Sequence, residues 1–90
     1  MTSYVRLNDT LTVKIVGELN KENSRKIMTE LEINLNNVSR IILDMQEVSF
    51  IDEYGIGLLV YLKRKVDNIE LINCSKNIAL AIKLSGLNIL

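Results

Sequence analysis

The chain has 90 residues, 48% of them hydrophobic and only 4% aromatic, with eleven basic and eleven acidic side chains that cancel to zero net charge. That length is one domain with an aliphatic core, and the missing basic excess argues against a charge-driven nucleic-acid surface. With no histidine and one cysteine, the usual zinc ligand sets, histidine-based general base catalysis and an internal disulfide are all excluded.

Val5 and Leu7 suggest a short first strand, and Asn8-Asp9-Thr10 a turn. Leu11, Val13 and Ile15 alternate with Thr12 and Lys14, the period of a strand with one buried face, close enough to the first to form a hairpin. Gly17 is expected to end it. Asn20 is a candidate N-cap, followed by a helical stripe of Ser24, Ile27, Met28, Leu31 and Leu35 with charged residues largely off it. Asn36-Asn37 should close that helix, since asparagine tolerates the left-handed conformation.

Ile41-Ile42-Leu43, closed by Asp44, reads as a central strand covered on both faces. Val48-Ser49-Phe50-Ile51 then leads into Asp52-Glu53-Tyr54-Gly55, and a second, more apolar helix is expected from Gly55 to Val66. Asp52 suits its N-cap, Glu53 complements the positive end of its dipole, and Lys63-Arg64-Lys65 suits the negative end. Ile69, Leu71 and Ile72 give another strand, with Cys74 as a small buried residue beyond it. Ser75 caps a third helix that Ser85-Gly86 closes, and Leu87, Ile89 and Leu90 pack as a stub or short strand. The order is β-β-α-β-α-β-α, an α/β fold.

No segment reaches the roughly eighteen apolar residues of a membrane span. The start, Met1-Thr2-Ser3-Tyr4-Val5-Arg6, lacks the features of a secretory signal. A cytoplasmic location without direct membrane insertion is expected. Gly55 and Gly57 make a poor nucleotide loop, because Val60 stands where a third glycine would be needed. Asp44 and Asp52 could pair as carboxylates, but nothing completes a hydrolytic or metal site around them. No cofactor, no metal and no enzymatic activity are expected. Neutral charge and aliphatic helices allow self-association as a homodimer.

Gly17-Glu18-Leu19-Asn20, the Ile41–Asp44 run, the stretch from Val48 to Leu58 and Ser85-Gly86-Leu87 occur in the order and spacing of a known family. Between about Leu11 and Leu87 the chain resembles the STAS domain family, best known from bacterial anti-sigma factor antagonists. The resemblance implies a single STAS-like domain over residues 1-90, with a mixed four- to five-stranded β-sheet flanked by helices. It implies docking to an anti-sigma factor that is also a kinase, through the Asp52–Ile56 loop, the following helix and the Asn20 region. The expected partner-binding residues are Asn20, Asp52, Glu53, Tyr54, Gly55 and Ile56. In the antagonists a Ser or Thr between that Asp and that Gly is phosphorylated, which switches docking off. Here Glu53 and Tyr54 hold those positions, and Ser49 lies in the apparent strand, so no Ser/Thr switch is expected in this loop. An alternative role needs no such switch: an accessory subunit on the ATPase of a lipid-transport ABC system. A third reading, a small-molecule sensor or enzyme, requires a pocket lined by converging polar groups.

Overall fold

The structure, a computed structural model, describes all residues from Met1 to Leu90. β1 (Ser3–Leu7), β2 (Thr10–Leu19), α1 (Lys21–Asn34), β3 (Arg40–Ile51), α2 (Glu53–Lys65), β4 (Asn68–Ile72) and α3 (Lys76–Leu84) follow one another in the expected order. The sheet has four strands in the order β1-β2-β3-β4. β1 and β2 form an antiparallel hairpin, whereas β2, β3 and β4 are parallel. The residues after Gly86 form no fifth strand; Leu87 and Ile89 pack against the core as a stub.

Topology decides where the helices lie. The crossovers β2–α1–β3 and β3–α2–β4 step along the sheet in the same direction. Right-handed connections then place both helices on one face, and α1 and α2 touch. Leu11, Val13 and Ile15 of β2 and Ile41, Leu43 and Met45 of β3 point at those helices and are almost wholly buried. Ile27 and Leu31 of α1, Leu58, Leu59 and Leu62 of α2, and Ile78 and Ile82 of α3 complete one hydrophobic cluster.

The other face of the sheet is the less covered one. Thr12 and Ile42 are half-buried there, Val5 is 64% exposed, and Lys14–Glu47 and Arg40–Glu70 pair at 3.0 and 2.6 Å. The expectation that β3 is sealed on both faces is therefore corrected at Ile42. Two expected strand ends also fail. Gly17 does not stop β2, which runs on to Leu19 through register irregularities, with Gly17 at φ +101°. Asp44 does not stop β3; its side chain accepts hydrogen bonds from Gln46 N and Asn73 Nδ2, both at 3.1 Å, while the strand continues.

Helix ends follow the capping residues. Asn20, Ser75 and Asp52 each accept backbone N–H groups at the start of α1, α3 and α2. α2 begins at Glu53, two residues earlier than expected, because Asp52 is its cap, so the expected Asp52–Ile56 loop is instead the cap and first turn of that helix. Asn37 at φ +62° and Gly86 at φ +85° take the left-handed conformation just beyond α1 and α3.

Candidate functional site

In an open parallel sheet the carboxyl ends of the strands are where connections leave for helices and where ligands are met. Here β2 ends at Leu19 and β3 at Ile51, paired side by side. Asp52 N donates to Leu19 O at 3.3 Å, tying the two exits together. The cap at Asn20 and the cap at Asp52 thus form one corner.

Asp52 spends its side chain on structure: Oδ1 accepts from Tyr54 N at 2.8 Å and Gly55 N at 3.3 Å. Asn20 does the same for α1, accepting from Asn23 N at 3.0 Å and donating to Glu18 Oε1 at 3.3 Å. Both stay half-exposed. Glu53 is exposed. Tyr54 is 45% exposed and its ring faces α1, with Lys21 Nζ 5.6 Å from its centroid. Ile56 is half-buried against the core.

Gly55 lies beneath this surface, not on it. A Cβ at this position would meet Leu19 O and Ile51 Cγ1 at 2.6 Å and Leu19 Cβ at 2.8 Å, so the missing side chain is what lets α2 close onto the strand exits. Gly57 is different: a Cβ there would touch nothing within 4 Å. Phe50, 46% exposed as the penultimate residue of β3, adds apolar surface just before the corner.

Four residues beside the corner are not singled out by the sequence as site residues: Lys21, Ser24, Arg25 and Met28, which with Tyr54 line a pocket of about 150 Å³ between α1 and the start of α2. Ser24 is 3% exposed and its Oγ has no hydrogen-bond partner. The helical stripe signals that Ser24 faces inward, but nothing local signals what it meets.

Elsewhere the chain offers little chemistry. No three His, Cys, Asp or Glu side chains are grouped to hold a metal. Burial pushes the Cys74 thiol up, away from the thiolate a nucleophile needs. The Asn73 amide and the Gln46 N–H hold the Asp44 carboxyl below the usual carboxylate range, a structural use of that group. A larger groove of about 460 Å³ lies between α3 and the final residues, lined by Leu80, Leu87 and Leu90 with Lys76 and Lys83. No helix is long and apolar enough to cross a membrane.

A family model described as the STAS domain matches residues 2–89. Among solved structures, the anti-sigma factor antagonist SpoIIAA in its unphosphorylated form is similar at 22% identity and a TM-score of 0.86, over 97% of this chain and 82% of that one. An anti-sigma factor antagonist from Mycobacterium paratuberculosis is similar at 14% identity and a TM-score of 0.83, over 96% and 77%. The murine anion transporter Slc26a9 is similar at 23% identity and a TM-score of 0.76, over 91% of this chain but 14% of the transporter. At such identities the likeness shows the fold. No curated protein shows significant sequence similarity to the chain.

Proposed function

The chain belongs to the STAS domain family, and from that premise we propose that it is a non-enzymatic regulatory module that docks onto a partner protein through the corner formed by Asn20 and the Asp52–Ile56 turn. Its resemblance is to anti-sigma factor antagonists, so the favoured partner is an anti-sigma factor. A cytoplasmic location goes with that role.

The observation that carries the reading is the division of labour within five residues. Asp52 and Gly55 anchor the turn against Leu19, which leaves Glu53 and the half-exposed ring of Tyr54 presented on a rigid base. A fixed turn loses little freedom on binding, and tyrosine supplies contact area together with a polar tip. Glu53 sits at the positive end of α2, where its charge is favourable. The single charge of Glu53 is a weak counterpart of the one and a half to two charges of a phosphate, and neither it nor Tyr54 accepts phosphate from a Ser/Thr kinase. That absence also supports a second reading, an accessory subunit on the ATPase of a lipid ABC transporter, which docks without a phosphorylation cycle.

Capture of partners from native cell extract, with wild-type and Glu53→Lys/Tyr54→Ala proteins side by side, tests the docking surface. The expected result is a protein retained by the wild type and lost from the variant: an anti-sigma factor under the first reading, an ABC ATPase under the second. An identical set of captured proteins would sink the proposal. Incubation of the captured complex with ATP, followed by intact-mass measurement, should show no phosphate on the Asp52–Ile56 turn.

A further inference from the structure

We infer that the pocket between α1 and Tyr54 is a receptor for a carboxylate on a short aliphatic stem, of the kind an acidic side chain of a protein partner presents. The inference deepens the docking reading and rests on it for the identity of the carboxylate's owner.

The pocket gathers polar side chains that make no ion pair or hydrogen bond within the fold. Lys21 and Arg25 stand four residues apart on α1 and so lie on the same side of the helix. Neither makes an ion pair; the chain's two ion pairs are Lys14–Glu47 and Arg40–Glu70. Lys21 instead rests over the face of Tyr54. Ser24, in the wall between them, is 3% exposed, yet its Oγ bonds to nothing. A buried hydroxyl without a partner costs stability unless a ligand supplies the missing bond. Two unpaired cations and one orphaned hydroxyl around a single space of about 150 Å³ call for an anion.

The remaining walls choose between anions. Met28 and the ring of Tyr54 are apolar. A phosphate carries oxygens on every side and would press some of them against those walls, where they find no donor. A carboxylate turns both oxygens toward Lys21, Arg25 and Ser24 and lays its methylene stem along Met28 and the ring. The opposite flank of the same helix start is lined by Glu18, Asn20, Glu22, Asn23 and Lys26. Two of those are acidic, so an anion is steered to the Lys21–Arg25 side.

The test is an amide NMR titration of the whole chain with propionate, at fixed ionic strength, with neutral propionamide and inorganic phosphate in parallel. Propionate should shift the signals of Ser24, Arg25 and Tyr54 along one saturable curve, and propionamide should leave them in place. Arg25→Gln should weaken the binding about tenfold, the worth of one charge-assisted bond. Ser24→Ala should weaken it too while leaving thermal stability undiminished, which a purely structural serine would not do. Phosphate binding more tightly than propionate would overturn the carboxylate assignment. No saturable shift with either anion, or curves unchanged in both variants, would overturn the pocket. These outcomes are independent of the docking surface: a silent pocket beside Glu53-dependent capture rejects this inference alone, and a responsive pocket beside unchanged capture rejects the docking role alone.

Discussion

The two ends of the sheet use their polar groups in opposite ways. At the end where the β1–β2 turn meets the α1–β3 loop, the donors and acceptors are turned on one another. Arg6 reaches from β1 to Asn36 O at 2.6 Å, Asn37 O at 3.1 Å and Asn8 O at 2.9 Å. Ser39 donates from its backbone N–H to Asp9 O at 2.9 Å and from its hydroxyl to Asp9 Oδ2 at 2.5 Å, and the second bond holds the Asp9 carboxyl below its ordinary range. At the opposite end, Lys21 and Arg25 make no ion pair and Ser24 Oγ has no partner. One end is closed by its own chain. The other has backbone positions secured by Asp52 and Asn20 and side chains left over, which is the arrangement expected of a surface that meets something else.

The comparison can be broken most forcefully at Gly55, the residue of the exposed end that is committed wholly to the fold. Gly55→Ala drives a methyl into the Leu19 backbone, and overpacking of this kind costs about 1–3 kcal/mol. Urea unfolding should show a midpoint well below that of the wild type. A midpoint unchanged within error would mean that α2 does not rest on the strand exits as described. Arg6→Ala comes next. It removes three hydrogen bonds, two of them to carbonyls just beyond the end of α1. At roughly 1 kcal/mol net for such a change, stability should fall while partner capture is untouched. Loss of capture would show that the closed end also faces a partner.

Asp52 separates cap from charge. Asp52→Ala should cost about 1 kcal/mol of stability, whereas Asp52→Asn, which caps nearly as well, should cost little. If the Asn variant folds normally and still captures its partner, the carboxylate serves the fold only. If it folds normally and fails to capture, the negative charge is part of the recognition.

Local chemistry made the framework legible. Asn20, Asp52 and Ser75 are polar residues placed just before apolar helical patterns, and each is a cap because its side chain satisfies N–H groups a few residues away. The alternation through Leu11, Val13 and Ile15 marks the buried face of β2 for the same reason. Errors arose where distant contacts override local signals. Gly17 and Asp44 are breakers in isolation, but the parallel pairing of β2 with β3 continues to Leu19 and Ile51 and carries both strands past them. Ile42 looks like core in sequence, and only the one-directional crossovers explain why its face is not sealed. In the corner, the capping role of Asp52 was visible from its residue type, but the residues after it form the first turn of α2 and not a loop, because Asp52 satisfies the N–H groups of Tyr54 and Gly55 and so starts the helix early; the approach of Tyr54 to Lys21 and Ser24 joins parts of the chain some thirty residues apart and leaves no local trace.

The smallest expected effect is the sharpest test of which residues at the exposed end serve the fold. Gly57 is in the second turn of α2, exposed, with nothing within 4 Å of an added Cβ and no positive φ to favour glycine. Glycine at such a helical position is a cost, and alanine should stabilise the chain by roughly 0.4–1 kcal/mol through a less disordered unfolded state and better helix propensity. The fold gives no reason for the glycine, so the reason must lie outside it or be absent. If another backbone packs closely against this turn, Gly57→Ala yields a protein that melts higher and binds its partner less tightly, two effects of opposite sign that no folding defect can mimic. If binding is unchanged, the partner does not approach α2 at its second turn, and the contact surface contracts to Glu53, Tyr54 and the adjoining pocket on α1.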